Sequence, residues 1–181
     1  MADLTPTGRV ILGMLSLGRN TGYEIKQFVD KTTRHFWAAS YGQIYPELRR
    51  LEEQGLVASR PEPSGGRART VFELTEAGAE ALREWLEEPS DPMWELRCET
   101  MLKLFFSDAA DPRFRIENLR AFREQQELKL AGLRELEDAA RTAPQRGPYL
   151  SLRLGLALTE SIVQACDELE QELGDGGEPC S

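Results

Sequence analysis

The segment SYGQIYPELRRLEEQGLVASR, from Ser40 to Arg60, runs directly into GGRARTVFELTEAG, from Gly65 to Gly78. Ile44, Leu48 and Leu51 recur at helical spacing, and Gly55 follows where a left-handed residue closes a helix. Leu56–Pro61 and Arg69–Leu74 have strand character, with Pro63-Ser64-Gly65-Gly66 turning the chain between them. Thr75 then caps a further helix that carries Ala81, Leu82, Trp85 and Leu86.

Two helices are expected before this block. Thr5–Leu17 places Val10, Ile11, Met14, Leu15 and Leu17 for one buried face, with Thr5 as cap and Pro6 at the first helical position. Gly22–Thr32 follows, capped by Thr21 or Asn20, with Ile25, Phe28 and Val29 inward. Helix, helix, helix, strand, basic tip, strand, helix is the order of a winged helix-turn-helix. The expected fold class is therefore mainly α: a winged domain with a two-stranded wing over residues 1–88, then an all-helical dimerisation domain over 89–174. The tail, 175–181, is expected to be disordered.

In the second domain three helices are expected: Glu95–Ser107, a long Pro112–Thr142 and Tyr149–Leu173. The prolines of Glu88-Pro89-Ser90-Asp91-Pro92 mark a linker. The apolar stripes of the long helices can pack on each other or across a two-fold axis. The second arrangement is the expected one, because a palindromic DNA site asks for a dimer.

The formal net charge of −9 looks wrong for a DNA binder, but it is unevenly distributed. Residues 1–74 hold 10 Lys/Arg against 8 Asp/Glu, whereas 75–181 hold 12 against 23. Local basic surface decides such binding, not the total. On the third helix the outward side carries Gly42, Pro46, Arg49 and Glu53, with Arg50 beside them and Tyr41 and Tyr45 on a flank. Ser40 and Gln43 form an S-x-x-Q capping box. The helix start would offer backbone N–H groups to phosphate, and Gly42 would let a strand approach. Gln43 reaches a base edge or phosphate, and Arg49 and Arg50 supply charge. At the wing tip Gly66 permits the reversal, and Arg67 and Arg69 meet the backbone or the minor groove. Pro46 conflicts with a helix opened at Ser40, since it deletes a bond to Gly42. Either the first turn is distorted, which is the expectation, or regular helix begins nearer Tyr45.

The stretches LTPTGRVILGMLSLGRNTGYEIKQF, SYGQIYPELRRLEEQGLV and GGRARTVFELTEAGAEAL resemble the PadR family of bacterial transcriptional regulators. ELRCETMLKLFFSDAADP is similar to the longer C-terminal domain of that family. The chain departs from the family pattern at Ala68, Thr70, Val71 and Phe72, where a basic residue and two tyrosines are common. The resemblance implies a homodimeric, mostly repressing protein that binds a palindromic operator. Tyr41, Gln43 and Tyr45, with Arg67 and Arg69, would contact the DNA, and the C-terminal helices would form the dimer.

Trp94, Phe105, Phe106 and Tyr149, near the domain junction, suggest a site for a small apolar or aromatic effector. The alternative for Phe105 and Phe106 is the core. The winged module could also have become a protein-interaction module without DNA binding. An enzyme is not expected: His35 stands alone, and Cys98 has no histidine neighbour. Glu95 and Glu99 sit among Arg97 and Lys103 as a solvated face. No metal, phosphate-loop or nucleophile motif and no cofactor is read. Three cysteines, Cys98, Cys166 and Cys180, no apolar run long enough to span a membrane and no secretory signal lead to a cytoplasmic expectation.

Overall fold

The computed structural model describes residues 4–33, 36–37, 41–64, 67–90 and 96–174. The chain divides into two compact units, Met1–Pro92 and Met93–Ser181.

In the first unit, α1 (Pro6–Ser16) opens on Thr5, whose hydroxyl accepts from the Gly8 N–H at 2.9 Å. Helix α2 (Gly22–Lys31) opens on a reciprocal capping box: Thr21 accepts from Glu24 N–H, and Glu24 accepts from Thr21 N–H. Helix α3 (Ile44–Glu53) follows a 3-10 turn at Tyr41–Gln43. Regular helix thus begins at Ile44. Pro46 becomes its third residue, where the missing N–H would have had no intrahelical partner anyway. This resolves the Pro46 conflict. Gln43 itself stands at the cap position without a side-chain cap bond, and Ser40 lies outside the described residues.

Ile11, Leu12, Ile25, Leu48 and Leu51 have no exposed surface. They meet Val29, Ile44, Val57, Phe72 and Leu82 in one core. Each fully buried Leu or Ile contributes about 1.5–3 kcal/mol. After α3, Gly55 takes φ +70° and lets the Leu56 N–H return to Leu51 O. The strands β1 (Val57–Ser64) and β2 (Arg67–Leu74) pair antiparallel from Val57↔Leu74 to Ser64↔Arg67. Both are longer than the sequence suggested, because ladder pairing carries Pro61 and Pro63 into an edge strand. The Phe72 N–H donates to Asn20 O at 2.7 Å and ties the wing to the α1–α2 loop.

Helix α4 (Glu76–Glu87) begins at Thr75, which accepts from Gly78 N–H and donates to Gly55 O. Gly78 runs against the Leu56 carbonyl so closely that any Cβ there would collide with it.

The second unit is an antiparallel helical pair with additions. Helix α5 (Glu99–Phe105) is shorter than the Glu95–Ser107 expected and gives way to a 3-10 turn at Ser107–Ala109. The anticipated single helix over 112–142 is two, α6 (Arg113–Glu135) and α7 (Glu137–Thr142), separated at Leu136. There the Leu136 N–H tightens onto Leu133 O. That swings Leu136 and Ala140 onto the Leu130, Leu133, Leu152 and Leu156 cluster. Helix α8 (Arg146–Gly174) begins three residues before Tyr149, since Pro148 is tolerated in a first turn. Arg123 meets Asp167 at 2.6 Å and Arg134 meets Glu160 at 2.9 Å across the α6–α8 seam.

In the first unit a polar link joins the cap of α1 to α3. Thr5 Oγ1 donates to Glu47 Oε1 at 2.5 Å, while Arg50 donates to the same carboxylate through Nε and Nη2 at 3.1–3.2 Å. The Glu47 side chain is only 11% exposed. Charge-assisted bonds of this kind contribute about 1.5–3 kcal/mol. Glu47→Ala is therefore expected to destabilise the protein by about 1.5–3 kcal/mol, with Glu47→Gln recovering part of the loss. The urea midpoint of unfolding, read by circular dichroism, checks this.

Candidate nucleic-acid interface

Helix α3 presents two unlike faces. Inward, Ile44, Leu48 and Leu51 are buried. Outward, Pro46, Arg49 and Glu53, with Gly42 of the preceding turn, are exposed, as the spacing of the sequence implied, and Gln43 is exposed beside them. Arg49 has no ion-pair partner among the described residues. Its guanidinium is the one on this helix available to a ligand. Arg50 instead turns to Glu47, and its side chain is 35% exposed. Glu47 carried no signal in the sequence, because a carboxylate in a first helical turn is ordinary and its Thr5 partner lies 42 residues away.

Tyr45 is 56% exposed, with its ring laid over Gly22 at the start of α2. A Cβ at Gly22 would stand 2.5 Å from that ring, so the small residue sets the ring's position. Tyr41 belongs to the 3-10 turn that leads into α3. The residues at the tip of the wing, Gly65 and Gly66, lie outside the described residues, as do Ser40, His35 and Trp94. Arg67 is placed at the start of β2, opposite Ser64.

Arg69 is placed differently from the expectation of a free phosphate grip. It stands opposite Glu62 in the ladder, and its Nη2 and Nε lie 2.5 and 2.7 Å from Glu62 Oε2. The Arg69 guanidinium holds the Glu62 carboxyl below its ordinary range. Arg60 pairs with Glu73 at 3.1 Å. Strand pairing brought these groups together, and sequence spacing does not reveal it.

Of the expected effector residues within the described chain, Phe105 and Phe106 do not meet Tyr149. Phe105 and Phe106 form an edge-to-face pair, with ring centroids 5.0 Å apart. They are 79% and 63% exposed, so neither is core. Tyr149 stands near the start of α8, at the opposite end of the antiparallel α6–α8 pair from α5. A concavity of about 310 Å³ does lie beside Phe106, lined also by Lys103, Phe114, Arg115 and Asn118. Arg115 there donates to Ser107 Oγ and pairs with Asp108. Lys103 pairs with Glu99, as expected of a solvated face. Burial pushes the buried Cys166 thiol up, which disfavours the reactive thiolate. No group of His, Cys, Asp and Glu able to hold a metal ion occurs among the described residues. No helix there is long and apolar enough to cross a membrane.

Residues 11–84 match the model of the transcriptional regulator PadR-like family, and residues 96–174 that of the virulence activator alpha C-terminal region. The negative transcriptional regulator PadR of Bacillus subtilis is 28% identical over 165 residues, covering 84% of this chain and 89% of that protein. Its crystal structure in complex with operator DNA superposes with a TM-score of 0.81 at 25% identity, over 91% of this chain and 97% of that one. The virulence activator AphA of Vibrio cholerae is 30% identical, with a TM-score of 0.70 over 94% and 99% of the two chains. The winged helix-turn-helix with a helical C-terminal region is thus the architecture of known DNA-binding regulators, and the chain belongs to the PadR-like family of transcriptional regulators.

Proposed function

We propose that the protein is a homodimeric repressor that binds a palindromic operator and is released by a small-molecule effector. The observation that carries the reading is the two-faced α3, apolar against the core and open along Gly42, Gln43, Tyr45, Pro46 and Arg49. In this reading residues 1–88 bind DNA and residues 89–174 dimerise. Ser40, Tyr41, Gly66 and Arg67 complete the DNA-facing set, with Arg50 and Arg69 joining it when DNA draws them from Glu47 and Glu62. Arg49 reads a base edge, while the helix start and the wing meet phosphate. The protein works in the cytoplasm, where its operator is.

Support for the dimer comes from α8 and α5. Leu150, Leu154, Leu158 and Leu169 form a row along α8 and are 40–64% exposed. Met101, Leu102 and Phe105 of α5, and Phe106 just after it, are all exposed, and α5 has no buried residue. So much apolar surface on helices this long asks for a second copy. Two copies would set their α3 helices about 34 Å apart, one turn of DNA. The effector, a small apolar or aromatic molecule, is assigned to the concavity beside Phe106, with Trp94 close by in the chain. It would act by favouring dimer geometries whose α3 helices miss the groove spacing.

Sedimentation is expected to give about twice the 20.4 kDa chain mass, and Leu154→Glu with Leu158→Glu to give the monomer. For DNA, the probe is duplex from the protein's own upstream region, read by fluorescence anisotropy. Arg49→Ala should weaken binding by about 1–3 kcal/mol and relax selectivity at one base pair. Absence of binding to any duplex at ~50 mM salt, where phosphate contacts are strongest, would overturn the reading. An aromatic ligand should quench tryptophan fluorescence, and Trp94→Phe should abolish the change while Trp37 and Trp85 remain.

A further inference from the structure

The β1–β2 register places Arg60, Glu62, Arg69 and Glu73 on one face of the wing. Their charges alternate in space. Glu73 pairs with Arg60 at 3.1 Å, Arg60 reaches Glu62 at 3.5 Å, and Glu62 holds Arg69 at 2.5 Å. Arg69 in turn lies 4.0 Å from Glu24, the capping-box carboxylate of α2. The ladder therefore contains two cations and three anions. Both arginines of the ladder are thus already engaged by carboxylates.

A carboxylate and a phosphate compete for the same guanidinium N–H groups, because both accept the planar fork. Arg69 is 51% exposed and Glu62 is 31% exposed, so the pair sits in water and can open. A phosphate that takes the Nε and Nη2 edge of Arg69 must displace Glu62 from it, and the freed carboxylate then faces the phosphate as a like charge. That penalty applies to every DNA sequence equally. Base contacts from α3 are untouched by it.

Resting on the DNA-binding reading above, we propose that Glu62 is a positioning residue that withholds Arg69 from phosphate and so limits the sequence-independent share of DNA affinity. Glu62→Gln keeps the shape and removes the competing charge. Its effect is expected on operator and unrelated duplex alike: about three- to tenfold tighter binding at ~50 mM salt, and a slope of log K against log salt steeper by about 0.9, one extra phosphate contact. In the Glu62→Gln, Arg69→Ala double variant the gain should vanish.

The inference is overturned by a Glu62→Gln protein with wild-type affinity and slope. It is equally overturned by a gain that survives loss of Arg69, which would mark a mere change in net charge. Wild-type protein that binds no duplex at all would instead remove the DNA-binding reading, and this inference with it. Circular dichroism of each variant confirms that the fold is retained.

Discussion

The seating of α3 governs everything else in the winged unit. Ile44, Leu48 and Leu51 are buried among residues of α1, α2 and the strands, and this burial fixes the rotation of the helix about its axis. Once that rotation is set, Gly42, Gln43, Pro46 and Arg49 have only one direction in which to face. The Thr5–Glu47–Arg50 link adds direction to what hydrophobic contact alone leaves loose. It joins the first turn of α3 to the cap of α1, so the start of one helix sets the position of the other.

The same link sorts the basic residues. The arginines around α3 and the wing look interchangeable as charges, yet here they differ by their partners. Arg50 serves the fold through Glu47, and Arg60 and Arg69 are held in a ladder with Glu73, Glu62 and Glu24. Arg49 stands open. Of the positive charge in residues 1–74, Arg50, Arg60 and Arg69 are thus already engaged by carboxylates.

The helical unit follows a different logic. Its core is small: Leu130, Leu133, Leu152 and Leu156, with Leu136 and Ala140 against them. Further along, Leu119, Thr159 and Cys166 are buried, and Thr159 satisfies its hydroxyl on Gly155 O at 2.8 Å. The apolar rows on α5 and α8 stay outside this core and exposed.

Much of this was legible in the amino-acid order. Thr5 and Thr75 announced their helices as caps, Thr21 was one of two candidates for the next, Gly55 announced an end, and the spacing of Ile44, Leu48 and Leu51 told which side of α3 lies inward. These are local signals, written within one or two turns of chain. The start of α3 was less clear, because Pro46 permits two readings and only the 3-10 turn before Ile44 chooses between them. Other features needed the folded chain. The break at Leu136 arises from packing on α8, not from a helix-breaking residue. Phe105 and Phe106 are separated from Tyr149 by the antiparallel path of α6 and α8, so closeness in a list of aromatics did not mean closeness in space. Above all, the pairing of Arg69 with Glu62 and of Thr5 with Glu47 depends on strand register and helix seating. Sequence alone determined which segments are helices and strands and which face of α3 is apolar. Tertiary structure alone decided which arginines are free, because a charge is neutralised by the groups that folding brings within a few ångströms of it.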